Sequence, residues 1–128
     1  MKLLIKEAQE RRTKPMIKAF SLNAASFDVN SSELKEQAKR DIKKMAQDIK
    51  NYEFRKITIE GHTDSTGSKE LNKRLSEARA RAVYDEFIKH GIPSYKMEYV
   101  GFGSSMPRAT NATPEGRALN RRTEVFVE

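Results

Sequence analysis

The chain has 128 residues, about 37% of them hydrophobic, which suffices for one domain with one modest core and argues against wholesale disorder. It contains no cysteine, so disulfides, thiolate zinc sites and cysteine nucleophiles are excluded together. The net charge of +7 raises the question of nucleic acid. However, residues 1–18 alone hold Lys2, Lys6, Arg11, Arg12, Lys14 and Lys18 against Glu7 and Glu10, and the rest of the chain is nearly balanced. A charge concentrated in one tail leaves the body a mixed, soluble surface, and we expect no nucleic-acid partner.

Residues 1–16 end near Pro15 and read as a basic linker or the end of an upstream segment, with the domain proper at 17–128. They lack the apolar core of a signal peptide, and no stretch approaches the roughly 20 apolar residues of a membrane span. If the protein is exported, its signal and anchor are therefore expected outside this chain. A first strand is expected at about 17–23, around Phe20 and Leu22, then a turn-rich stretch in which Asn30, Ser31 and Ser32 are candidate helix caps. Leu34, Ala38, Ile42, Met45 and Ile49 recur at helical spacing and form one apolar stripe. Ile57 and Ile59 alternate with Thr58 and Glu60, as in a half-buried strand.

Gly61 to Ser68 has loop composition. Leu71, Leu75, Ala78 and Ala82 predict the buried line of a second helix, ending near His90 with Gly91 and Pro93 behind it. A third strand is expected at 97–102, a turn of helix at 114–119, and a closing strand at 123–127. The order β-α-β-α-β-(α)-β predicts an α+β two-layer sandwich, a mixed four-stranded sheet with helices on one face. There is no internal repeat.

On the second helix, Asn72 and Arg79 are two turns apart and project along nearly the same line, with Ser76 between them. Asp64 precedes this helix, and Gly67 allows the loop to fold back over its first turns. A carboxylate and a guanidinium at one groove edge suit a zwitterion, the acid receiving an ammonium and the planar guanidinium a carboxylate. The plainer alternative is that Asp64 caps the helix and pairs with Arg79 across the surface, an arrangement of little energetic value. Spacing leaves both readings open.

Other signals are weaker. His62 and Asp64 invite a metal, but His90 is the only other histidine and sits at the far end of the helix, so no metal and no cofactor is expected. Gly61 to Lys69 lacks the glycine spacing of a phosphate loop, and Gly101-Phe-Gly103 lacks the third glycine of a dinucleotide fingerprint. No Ser/His/Asp order or carboxylate pair forms a catalytic set, so no enzymatic activity is expected.

Ile57-Thr-Ile-Glu-Gly-His-Thr-Asp-Ser-Thr-Gly67, followed by Leu71-Asn-Lys-Arg-Leu-Ser-Glu-Ala-Arg-Ala80, resembles the signature of the OmpA-like C-terminal domain family. Val100-Gly-Phe-Gly103 with Pro107, Gly116-Arg-Ala-Leu-Asn-Arg-Arg-Thr-Glu-Val125, and Phe27-Asp-Val-Asn-Ser31 are similar to further blocks of that family in the same order. The resemblance covers about residues 17–128. It implies a periplasmic domain that binds peptidoglycan non-covalently, anchoring an outer-membrane or lipid-anchored protein of a diderm bacterium, with membrane contact only through segments outside this chain. Asp64 and Arg79 match the positions that hold the two charges of the stem-peptide diamino acid, diaminopimelate or another, and Asn72 matches a supporting position. Arg117, Asn120, Arg121 and Arg122 fall in the closing motif. Arg122 is the expected contact among them, and Asp28 and Asn30 are expected at the rim. Leu71 to Ser76 is similar to the OmpA and Pal type and lacks the Trp typical of flagellar stators. A stator or secretion-system scaffold of the same fold, with a possible homodimer, is the alternative.

Overall fold

The computed structural model describes residues 2–128; Met1 lies outside them. In chain order the elements are α1 (Lys2–Thr13), β1 (Lys18–Leu22), α2 (Glu36–Ile49), β2 (Ile57–His62), α3 (Lys69–Lys89), β3 (Met97–Gly101), α4 (Pro114–Asn120) and β4 (Arg122–Val127). Short 3-10 turns occupy Ala24–Ser26 and Ser94–Lys96. The strands form one mixed sheet in the order β1-β4-β2-β3, in which β4 runs antiparallel to both neighbours and β2 parallel to β3. A parallel pair needs a long crossover, and α3 supplies it.

Alternation gives the sheet two distinct faces. On the front, Ile57, Ile59, Val125 and Val127 are fully buried beneath α2 and α3, where they meet Ala38, Ile42, Ile49, Val83 and Phe87. Side chains of this size each contribute about 2–3 kcal/mol on full burial, so this layer is the principal source of stability. Helix α2 follows its predicted stripe, with Leu34 just before it and Lys35 at its cap position instead of the expected Asn or Ser.

The expected buried line of α3 is displaced. Leu71 and Ala78 are exposed, while Asn72, Ser76, Ala80, Val83 and Phe87 face inward. The cause lies in the sheet. Gly61 and Gly101 are register partners on β2 and β3, and they present bare backbone to the helix. A Cβ on Gly61 would lie 2.1 Å from the Ser76 carbonyl oxygen, and one on Gly101 would lie 2.3 Å from the Glu77 nitrogen. Helix and sheet touch backbone to backbone there, so small and hydrogen-bonding residues outcompete leucine. Ser76 Oγ accepts the Gly103 N–H at 2.9 Å, which satisfies both groups in the contact.

The back of the sheet is polar and covered. Residues 2–13, expected as linker or the end of an upstream segment, form α1, which docks on this face opposite the two long helices. Its composition favours helix, its last turn carries Arg11 and Arg12, and Pro15 lies just beyond its end. It has no apolar stripe because its contact is largely ionic. Arg11 meets Glu60 at 2.7 Å, and Arg12 bridges Glu60 and Glu124 at 2.8 and 2.6 Å. Both guanidiniums lie over the Phe126 ring.

Glu60 is fully buried. Burial pushes its pKa up, but hydrogen bonds from His62, Arg12 and Arg11 outweigh that and hold it at about 2, against an ordinary 4.5. His62 Nε2 lies 3.1 Å from Glu60 Oε1; burial, assisted by Arg122, lowers its pKa, against the opposing pull of Glu60, and keeps the ring neutral. A carboxylate with a depressed folded pKa stabilises above its unfolded pKa and loses that contribution as pH falls towards the folded one. A buried neutral histidine acts in the same direction, because the unfolded ring gains a proton below about pH 6.5. Denaturant unfolding at a series of pH values should therefore show stability falling below neutrality and more steeply from 4.5 towards 2. Glu60→Gln should begin roughly 3 kcal/mol lower, since it leaves the buried Arg11 guanidinium without a carboxylate, and should lose the steep acid limb. On the other face, Gly61→Ala should cost about 2–3 kcal/mol in the same assay, because backbone must move to admit the methyl group.

Candidate functional site

Beyond β2 the chain turns sharply over the start of α3. Thr63 N–H donates to the Gly103 carbonyl at 2.8 Å, which ties the turn to the loop after β3. Asp64 Oδ1 accepts the Thr66 N–H at 2.8 Å, closing an Asx turn. Gly67 then adopts φ +86°, a conformation that any side chain would strain. The helix cap is Ser68, whose side chain accepts the Leu71 N–H, so Asp64 is not spent as a cap. Asn72 reaches back from the first turn and donates to the Thr66 carbonyl at 2.9 Å and the Asp64 carbonyl at 3.4 Å. Its role is to hold the loop that carries the acid.

The acid does not pair with Arg79. Its partner is Arg121, whose Nη1 lies 2.7 Å from Asp64 Oδ2. Burial raises the Asp64 pKa, but the Thr66 N–H and Arg121 outweigh it, so the group is held anionic. Arg79 instead donates from Nε to the Ser31 carbonyl at 2.8 Å and from Nη2 to the Asp28 carbonyl at 3.1 Å, with its plane over Phe27. It thereby pins the 27–31 loop, in which Asn30 takes a left-handed φ of 57°. Burial first and the charge of Arg121 second lower the Arg79 pKa, while Asp64 opposes them.

These groups line one cleft of about 450 Å³ between the 27–31 loop, the turn after β2, α3 and α4. Of the residues expected at the site, Asp64, Arg79, Asn72, Asp28 and Asn30 all border it. The Asp28 carboxylate is largely exposed and paired with Lys35, leaving its backbone as the part used by Arg79. Arg122 does not border this cleft. As a residue of β4 it alternates to the back face, where it is buried against Glu124 and the carbonyls of Asn120 and Met106. Arg117 and Arg121 border the cleft in its place. Their spacing of four residues puts them on one side of a helical turn, a signal available in the sequence. Asn120 of the same motif is fully buried and stitches residues 108–111 to α4 through its amide.

A wider groove of about 630 Å³ lies behind the sheet between α1, β1 and residues 105–108. Its one carboxylate, Glu124, is already held by Arg12 and Arg122, so it has no free acid for a cationic ligand. On the same face Glu60, His62 and Glu124 bring potential metal-ligand atoms within 4.8 Å of one another. Arg11, Arg12 and Arg122 crowd the two carboxylates, so an added cation would face three guanidiniums. His62 is structural: it bonds Glu60 and stacks on Phe102.

The fold is an α+β domain with a recess of mixed charge. The OmpA family profile matches residues 26–121, and the chain belongs to that family. It is 47% identical over 103 residues to outer membrane porin F of Pseudomonas aeruginosa, covering 80% of this chain and 29% of that protein. It is 43% identical to the peptidoglycan-binding protein ArfA of Mycobacterium tuberculosis over 67% of this chain and 26% of that one. The chain thus spans less than a third of these relatives. Among solved structures, the peptidoglycan-associated lipoprotein of Burkholderia pseudomallei aligns with TM-score 0.74 and 30% identity, over 84% of this chain and 89% of the other. The periplasmic domain of Helicobacter pylori MotB aligns with TM-score 0.77 at 24% identity, over 86% and 74%, and shares the fold.

The coupling of Asp64 to Arg121 is open to measurement. Arg121→Ala should raise the Asp64 midpoint followed by carboxyl-carbon NMR, and an unchanged midpoint would show that the pair is not coupled in solution.

Proposed function

We propose that this domain binds the peptidoglycan stem peptide without covalent attachment and gripping chiefly its diamino acid. The observation that carries this reading is the presence of Asp64 and Arg79 on one cleft, held by separate backbone scaffolds. In this reading the Asp64 carboxylate receives the ligand's ammonium. Arg79, which keeps Nη1 free of hydrogen bonds among the described residues, takes its carboxylate. Asn72 keeps the acid in place, and the Asp28 and Asn30 backbone forms the rim. Arg122 acts behind the sheet as a structural cation. The similarity to the peptidoglycan-binding protein ArfA and to the peptidoglycan-associated lipoprotein of Burkholderia pseudomallei supports the partner.

No catalytic step is proposed. The protein is a tether, periplasmic and joined to the outer membrane through other parts of its chain, a placement supported by the relation to porin F. Charge-assisted hydrogen bonds contribute about 1.5–3 kcal/mol each. Two or three leave modest affinity after the cost of association, and many copies on one wall make the attachment firm by avidity.

Asp64→Ala and Arg79→Ala should each reduce co-sedimentation with purified peptidoglycan at least tenfold while leaving the circular dichroism spectrum folded. Two folded variants that sediment like the wild type would sink the clamp. Stem peptides ending in meso-diaminopimelate should bind more tightly than those with lysine, which presents an ammonium and no carboxylate to Arg79.

A further inference from the structure

The cleft holds more positive charge than a single zwitterion needs. Arg79, Arg117 and Arg121 all border it, whereas Asp64 is the one acid committed to it, because the Asp28 carboxylate turns outward to Lys35. Among the described residues, neither Arg79 nor Arg117 has a carboxylate within ion-pair distance. Arg117 donates only to the Asn111 carbonyl, at 3.0 Å, and that loop is itself held beside the acid by the bond from Ser65 N–H to Asn111. The side chain of diaminopimelate ends in one ammonium and one carboxylate, with no net charge. Once those charges sit on Asp64 and Arg79, Asp64 is shared between the ammonium and Arg121, and Arg117 still lacks an anion. A ligand with a second carboxylate suits this arrangement better than one without.

We propose that Arg117, backed by Arg121, forms a second carboxylate subsite that takes the free α-carboxylate of the γ-linked glutamate preceding the diamino acid. This rests on the stem-peptide reading above and adds a selectivity to it. A wall in which that carboxylate is amidated presents a neutral group to the subsite, and the domain binds it less well. Arg79 and Arg117 border the same cleft, so a neighbouring residue of the same peptide can meet Arg117 while the diamino acid occupies Asp64 and Arg79.

The test is calorimetric titration of the whole chain with two synthetic tripeptides, L-Ala-γ-D-Glu-meso-diaminopimelate and the same peptide with D-isoglutamine. Wild type should prefer the free acid about tenfold, the scale of one charge-assisted hydrogen bond. Arg117→Gln should bring the two affinities together by weakening only the acidic peptide, and Arg117→Lys should retain most of the preference. Equal binding of both peptides by wild type, or an equal loss for both in Arg117→Gln, overturns the subsite and leaves the clamp intact. If wild type binds neither peptide, the stem-peptide reading itself fails and the subsite fails with it.

Discussion

The close approach of α3 to the ends of β2 and β3 governs the rest of the structure. Gly61 and Gly101 let the helix backbone at Ser76 and Glu77 settle directly on the sheet. With the helix at that height, the loop from Thr63 to Ser68 spans only a short gap and must fold tightly, through an Asx turn and a left-handed glycine. Asp64 is presented at the cleft because the chain has no other short way from the strand to the helix. The same contact turns Asn72 inward, where it bonds the loop, and leaves Arg79 on the flank beside the 27–31 segment. A bulkier side chain at either glycine would lift the helix and separate the two charges.

Two charged clusters lie on opposite sides of the sheet, and their chemistry differs. Behind it, Glu60 is buried and saturated by Arg11, Arg12 and His62. Desolvating such a cluster costs several kcal/mol per ion, and the return comes from geometry that leaves no charge unpaired. That cluster fixes α1 and offers nothing to a ligand. In the cleft, by contrast, the cations outnumber the acids, and Arg79 and Arg117 are bonded only to carbonyl oxygens. An unneutralised, half-exposed guanidinium is where an anionic ligand gains most, because its desolvation is already partly complete.

Much of the fold was legible because its elements follow simple periodicities. The α2 stripe, the alternating strands and the glycine after α3 each express one local rule, and the mixed sheet follows from their order. Asp64, Arg79 and Asn72 were legible as a set because two of them share a helix face and the third precedes it. The buried face of α3 was misjudged, since apolar periodicity marks a core only where side chains, and not bare backbone, make the contact. Helix α1 was missed for a related reason: its docking surface is arginine, which pattern reading assigns to solvent. Strand alternation points to Arg122, opposite the Thr123/Val125/Val127 face, but that side of β4 is the back of the sheet, and the cleft is bordered by Arg121 at the end of α4.

By itself, the sequence determined the α+β architecture and the residue types at the cleft, since these depend on spacing along one chain. The tertiary structure decided which charge meets which. It paired Asp64 with Arg121 across 57 positions, gave Arg79 to the carbonyls of a distant loop, and set the basic N-terminal segment on Glu60. Coulomb energy and hydrogen-bond strength depend on separations of a few ångströms and on burial, and only the packing of helices on the sheet sets either quantity.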